Sequence, residues 1–219
     1  MVPDAGVTDL IERAMRERLA ELGEVESGLF RYYSRKLQHD TLLSECDLGA
    51  VRLLRASRGR FRREWDIGSG VGQLPLALAA DGWQVFAIEH DKRRFGALTA
   101  VIDAVTRSQP HIGRRVQPVF GSFPEVTSGN YVGDDVVIAL NAAFSATEEK
   151  YRAFEDRLRK YGAALIDFPR LFTETKVPSD WRARAEAYAG IPQIAPAYDY
   201  RIPEEDKTGE VYFLTRPRQ

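Results

Sequence analysis

Residues 65–74, Trp-Asp-Ile-Gly-Ser-Gly-Val-Gly-Gln-Leu, carry the densest chemical signal in the chain. Gly68, Gly70 and Gly72 alternate, so the main chain can turn sharply and approach a ligand with no β-carbon in the way. The free N–H groups that open the following helix favour a negatively charged or strongly polar group. Pro75, in the first turn of that helix, lacks only a donor that would have had no partner. Asp66 precedes the glycines, and Glu89 falls at the end of the next apolar run. A carboxylate at that place can accept both hydroxyls of a ribose. Loop and carboxylate together point to a nucleoside-containing ligand.

Those residues need a scaffold, and the surrounding pattern supplies it. From Trp65 onward short apolar runs alternate with helical stretches. Strands are predicted over 64–67, 83–88, 116–120, 135–140 and 163–167, with helices over 74–80, 92–105 and 148–160. This alternation gives a parallel sheet with right-handed crossovers, and the unbroken apolar runs at 136–140 and 163–166 suit strands covered on both faces. The tail differs: 194–202 and 209–215 flank a turn-rich Glu-Glu-Asp-Lys-Thr-Gly and read as an antiparallel hairpin. Before residue 60 the pattern is helical. Val7, Leu10, Ile11, Ala14, Met15 and Leu19 share one stripe of a helix over 7–22, a second helical region runs through Leu29, Tyr33 and Leu37, and a third through Leu48, Val51, Leu53 and Leu54. The expected fold is α/β: a doubly wound, mostly parallel seven-stranded sheet with a C-terminal antiparallel hairpin (residues 61–219) and a helical N-terminal cap (residues 1–60).

Glycine spacing narrows the ligand. A dinucleotide fingerprint is G-x-G-x-x-G, whereas the glycines here follow G-x-G-x-G, with Gln73 in place of the third dinucleotide glycine. With Asp66, Glu89 and the terminal hairpin, this arrangement resembles the class I S-adenosylmethionine-dependent methyltransferases. The likeness covers residues from about 60 to 219 as an order of elements, and at the level of motifs residues 66–72 and Glu89. It implies S-adenosylmethionine as cofactor. Asp66 would lie near the methionyl amino group, Gly68, Ser69, Gly70 and Gly72 would pass under the methionine and ribose, and Glu89 would hold the ribose diol. His90 would pack against adenine, with Ser122 and Phe123 at its edge and face, and Asn141 would lie where the methionine end meets the substrate. Each position has a plainer reading too: Glu89 as a solvated strand end, His90 and Ser122 as turn residues, Phe123 as core.

Methyl transfer from a sulfonium is an in-line displacement, and the protein mainly aligns the nucleophile. Many such enzymes need no base, and no catalytic residue is assigned. Nucleobase amino-methyltransferases resemble one another in an Asp/Asn-Pro-Pro-aromatic loop after the fourth strand; here Asn141-Ala142-Ala143-Phe144 lacks both prolines, which disfavours exocyclic-amine methylation. Cys46, the single cysteine, lies far from that loop and reads as a buried, inert thiol rather than a nucleophile toward cytosine. Catechol-type enzymes hold magnesium through carboxylates after the fourth and fifth strands; of Asn141 and Asp167 only one is charged, so no metal is expected. Tyr32, Tyr33 and His39 are candidates to close the pocket over cofactor or substrate, with half-buried packing as the alternative.

Composition bounds the remaining readings. The 219 residues are 44% hydrophobic and 29% charged, which excludes collagen-like, coiled-coil and wholly disordered chains. The N-terminus is charged every few residues, unlike a secretory signal, and no apolar run reaches the roughly 18 residues of a membrane span. A soluble, cytoplasmic protein acting on a small-molecule substrate, without membrane partners, is expected; the oligomeric state stays open. Arg52, Arg55, Arg58, Arg60, Arg62 and Arg63 crowd the approach to the glycine loop and could meet RNA phosphates or an anionic sugar chain. With 31 Lys+Arg against 32 Asp+Glu, a salt-bridged surface is the expected account. The function expected is methylation of a hydroxyl on a small molecule or sugar, chosen by elimination, with carboxylate and amine acceptors open. The rivals are an RNA methyltransferase using the Arg52–Arg63 cluster, an NAD-dependent oxidoreductase using the same loop and Glu89, and a non-catalytic S-adenosylmethionine-binding protein.

Overall fold

The computed structural model describes residues 5–22, 33, 43–127, 133–140, 148–171, 183, 186, 195–202 and 207–215. Its centre is β1 (Arg63–Ile67), which hydrogen-bonds in parallel to β2 (Gln84–Glu89) on one side and β4 (Val136–Ala139) on the other. Beyond β2 lies β3 (Val116–Phe120), and beyond β4 lies β5 (Ala163–Ile166), both again parallel. β6 (Tyr198–Ile202) and β7 (Lys207–Thr215) form the antiparallel hairpin, and β7 inserts between β5 and β6. The seven strands therefore run in the order β3-β2-β1-β4-β5-β7-β6. A side chain changes face at each residue along a strand, so Glu64 and Asp66 share one face of β1 with Val85 and Ala87 of β2, while Trp65 and Ile67 share the other with Phe86 and Ile88.

Helices cover both faces. On the Glu64–Asp66 face lie α1 (Ala5–Leu22), α2 (Glu45–Ala56), α3 (Gln73–Ala80), α4 (Lys92–Ser108) and the short α5 (Pro110–Gly113), all contributing to one core. On the other face, Phe154 and Leu158 of α6 (Glu148–Leu158) and Phe168 and Leu171 of α7 (Phe168–Leu171) pack around Trp65, Ile166 and Tyr212. Trp65 stacks on Phe86 with ring centroids 4.1 Å apart.

Local signals explain the helix boundaries. α2 begins at Glu45 because Ser44 and Asp47 form a reciprocal cap: the Ser44 hydroxyl accepts from the Asp47 N–H (3.2 Å), and the Asp47 carboxylate accepts from the Ser44 N–H (2.9 Å). α4 begins after Asp91, whose carboxylate accepts from the N–H groups of Arg93 and Arg94, both at 2.9 Å. These bonds hold Asp91 below the usual carboxylate range, the one from Arg94 most. α1 buries Ile11, Ala14 and Met15 from its apolar stripe, with Leu10 and Leu19 half-buried. Each large side chain among them gains about 1.5–3 kcal/mol on burial. The helical region read through Leu29 and Leu37 lies outside the described residues, apart from Tyr33. Periodicity did not find α5, α7 or the single turn at Glu125–Thr127, because three or four residues are too few to show a helical repeat.

Candidate functional site

The glycine loop leaves β1 at the carboxyl edge of the sheet and is fixed from both sides. The N–H groups of Gly68 and Ser69 donate to the carbonyl of Ile88 in β2, at 2.9 and 3.0 Å. Gly68, Gly70 and Gly72 take φ of 74°, 60° and 95°, left-handed values open to glycine at little cost. Gly70 also makes room for a neighbour: a β-carbon there would coincide with the hydroxyl of Tyr33, which is buried over the loop.

Below Gly70 lies Glu89, 1% exposed. One carboxylate oxygen accepts from the Gly70 N–H at 3.0 Å and the other from the Asp91 N–H at 2.8 Å. A carboxylate offers about four acceptor positions, so each oxygen retains one for a ligand hydroxyl. Asp66 is buried behind the loop, and burial raises its carboxyl to about 7, opposed by the Ser69 hydroxyl and reinforced by the charges of Asp47 and Glu89. A buried carboxyl poised near neutrality is one that a cation can ionise. The site thus combines open backbone, a carboxylate with spare acceptors and a cation-ready acid.

Two buried acids escaped the sequence reading. Asp47 was hidden in an ordinary helix start, and only the fold brings its charge within reach of Asp66. Glu64 had a visible signal, a charge inside an apolar strand, and is the more unusual: it is fully buried, and among the described residues neither oxygen has a hydrogen-bond partner. Burial pushes its carboxyl well above the ordinary range, and Asp66 adds to the rise.

The other sequence-derived positions separate. His90 is exposed, its Nδ1 3.4 Å from the Glu89 carboxylate, and Ser122 is exposed one residue past Gly121, whose N–H donates to the Glu89 carbonyl at 3.1 Å. Phe123 is core: it is 4% exposed on the opposite face of the sheet, edge-on to Phe154 at 5.3 Å. Its ring is therefore not available to a ligand at the loop. Asp167, just beyond β5, is buried and accepts from the Tyr200 hydroxyl. Cys46 is buried, and its carbonyl accepts from the Tyr198 hydroxyl at 2.8 Å. Tyr32, His39 and Asn141 lie outside the described residues.

The arginine cluster is salt-bridged in part, as expected, and lies away from the glycine loop. Arg63 pairs with buried Asp135 at 2.9 Å, Arg55 with Asp81 at 2.6 Å, and Arg62 approaches Asp134 at 3.8 Å on the surface. Asp81, Asp134 and Asp135 precede β2 and β4, so the cluster borders the amino edge of the sheet. The glycine loop stands at the carboxyl edge, a strand length of roughly 16 Å away. Neighbours in sequence are thus separated by β1 itself.

No family model matches the chain, and no curated protein matches it in sequence. Solved structures do match. The bifunctional kinase-methyltransferase WbdD aligns over 94% of this chain and 47% of its own, with a TM-score of 0.62 and 17% identity. The fold is that of the class I methyltransferases. The methyltransferase domain of bacterial CtHen1 shares it over 78% of this chain and 100% of its own (TM-score 0.56, 13% identity), as does magnesium protoporphyrin IX methyltransferase (ChlM) from Synechocystis PCC 6803, solved with bound SAH (78% and 81%, TM-score 0.53, 16% identity). The chain spans about half the length of WbdD. Within the methyltransferase fold, the insertion of antiparallel β7 between β5 and β6 departs from the 3-2-1-4-5-6 order of dinucleotide-binding sheets. Among the described residues, no helix is long and apolar enough to cross a membrane.

Proposed function

We propose that the chain is an S-adenosylmethionine-dependent methyltransferase acting on a hydroxyl of a small molecule or sugar. The observation that carries the cofactor reading is Glu89, buried beneath Gly70 with one acceptor position spare on each oxygen. That is the pattern two vicinal ribose hydroxyls require. In this reading Asp66 takes the methionyl ammonium, Gly68, Ser69, Gly70 and Gly72 pass beneath the methionine and ribose, and His90 and Ser122 border the adenine. The Tyr33 phenol closes the loop from above. Asn141, Tyr32 and His39 stay candidates for the methionine end and the acceptor pocket. Bound there, S-adenosylmethionine would supply the activated methyl group, and the protein's part is to orient the acceptor and exclude water.

The acidic surroundings favour neutral or cationic acceptors. Asp47, Asp66 and Glu89 gather near the loop, so an acceptor bearing phosphate or carboxylate would meet like charge. The paired arginines at the far edge do not offset them, which weighs against an RNA substrate bound through that cluster.

Calorimetric titration with S-adenosylmethionine, S-adenosylhomocysteine and NAD tests the cofactor. Both adenosyl ligands are expected to bind and to weaken about 10- to 100-fold in Glu89→Ala, the effect of losing hydrogen bonds to a charged acceptor. Binding of NAD without either adenosyl ligand would sink the reading. Transfer of labelled methyl from the cofactor to a panel of sugars and phenols then separates an enzyme from a non-catalytic binder.

A further inference from the structure

The arginines at the amino edge divide into two groups. Arg55 and Arg63 are locked by Asp81 and Asp135. Arg58 and Arg115 are not. Arg58 follows α2 and Arg115 immediately precedes β3, yet both guanidinium groups reach the same point over Gly82. The position a β-carbon of residue 82 would take is filled by Nη2 of Arg58, and Nη1 of Arg115 lies 2.9 Å from it. Gly82 has φ +97° in the turn between α3 and β2. Its missing side chain is what lets the two cations meet.

Like charges brought together need a reason, and the local carboxylate does not supply it. Both oxygens of Asp81 accept from Arg55, at 2.6–3.0 Å. Among the described residues, no carboxylate lies within ion-pair distance of Arg58 or Arg115. Arg115 is half-buried, and Arg58, though exposed, folds back over Gly82 to meet it. The main chain of Arg115 is anchored as well: its N–H donates to Ile112 (3.0 Å), and its carbonyl accepts from Val85 (2.8 Å). Two planar forks converging on one point match the oxygens of a phosphate group, which each can bind through two parallel N–H bonds.

We infer that Arg58 and Arg115, meeting over Gly82, bind a compact phosphate or diphosphate group at the amino edge of the sheet, remote from the glycine loop. A compact anion suits this geometry better than a nucleic-acid backbone. The neighbouring arginines do not extend the pair into a track: Arg60 lies over the ring of Phe61 at 5.3 Å, and Arg62 turns toward Asp134. The site does not depend on the cofactor reading, since a strand length separates the two.

Calorimetric titration of the whole chain with pyrophosphate and with inorganic phosphate, alongside a short single-stranded oligonucleotide, tests the inference. Saturable pyrophosphate binding is expected, weakened about tenfold or more in Arg58→Gln and in Arg115→Gln. The melting temperatures of both variants, with no anion added, are expected to match or exceed that of the parent chain, because each substitution removes a like-charge contact. Failure of pyrophosphate and phosphate to bind, or binding that survives both substitutions, would overturn the site. Retention of the oligonucleotide without pyrophosphate binding would overturn it too, and would assign the edge to nucleic acid instead.

Discussion

Asp66 and Glu64 sit two residues apart on the same face of β1, and among the described residues neither has the cation that a buried carboxylate usually needs. Asp66 titrates at about 7 in the folded chain against an ordinary value of 3.8. Between those values the folded state keeps a proton that the unfolded state has lost, so stability falls as pH rises through the window and levels off above it. Asp66→Asn is expected to lessen that fall, leaving the share that Glu64 contributes, read from denaturant midpoints at pH 5 and pH 8; an unchanged slope would remove Asp66 as a source. A cationic ligand favours the ionised form, so S-adenosylmethionine affinity should strengthen from pH 6 to pH 8 in the parent chain and lose most of that dependence in Asp66→Asn. Burial also pushes the Glu64 carboxyl well above the ordinary range, and among the described residues neither of its oxygens has a partner. Glu64→Leu keeps similar bulk and removes an unsatisfied polar group, which is expected to stabilise by about 1–3 kcal/mol. The gain should grow with pH, because the ordinary carboxyl in the unfolded chain ionises first. A loss of stability in urea denaturation at pH 8 would show that Glu64 is satisfied in solution.

At the scale of elements, the start of α2 links the N-terminal segment to the hairpin. The Ser44–Asp47 cap fixes where the helix begins, the Tyr198 hydroxyl holds the Cys46 carbonyl, and the Arg201 N–H donates to Glu45 at 2.9 Å. Ser44→Ala removes the cap and deprives Asp47, fully buried, of the Ser44 hydroxyl. A loss of about 1–2 kcal/mol is expected, measured by chemical denaturation; a change of a few tenths would mean that β6 alone positions the helix. The glycine loop is coupled to the same segment through Tyr33. Gly70→Ala would force the phenol from its place, so ligand binding should fall more than in Tyr33→Phe, which keeps the ring.

Across the whole molecule, the helices before residue 60 share one core with the sheet. Ile11 and Met15 of α1 belong to the same buried cluster as Leu98 of α4 and Ile138 of β4. Met15→Ala is expected to cost about 2–4 kcal/mol, and the chain should still unfold in one transition followed by both tryptophan fluorescence and circular dichroism. Two separated transitions would make residues 1–60 an independent unit. The sheet also holds different charges at its edges: Asp66 and Glu89 stand at the carboxyl end, while Arg55, Arg58, Arg63 and Arg115 stand at the amino end, where Asp81 and Asp135 pair only Arg55 and Arg63.

Much of this fold was legible in the chain. Alternating apolar runs and helical stretches gave the parallel strands, the switch at residue 194 gave the antiparallel hairpin, and Gly68, Gly70, Gly72, Asp66 and Glu89 declared the loop and its carboxylate, because each signal lies within a few residues of chain. What tertiary structure alone decided depends on contacts between distant segments. Sequence put the arginines beside the glycine loop; β1 carries them to the other edge. Phe123 could have faced ligand or core, and the packing of Phe154 from a helix about thirty residues away chose core. Asp47 lies in the first turn of an ordinary helix, and only the packing of α2 over the sheet brings its charge toward Asp66. Local pattern fixes which elements form, since propensity and periodicity are properties of short stretches. Only their assembly sets which charges meet and which are left without a partner.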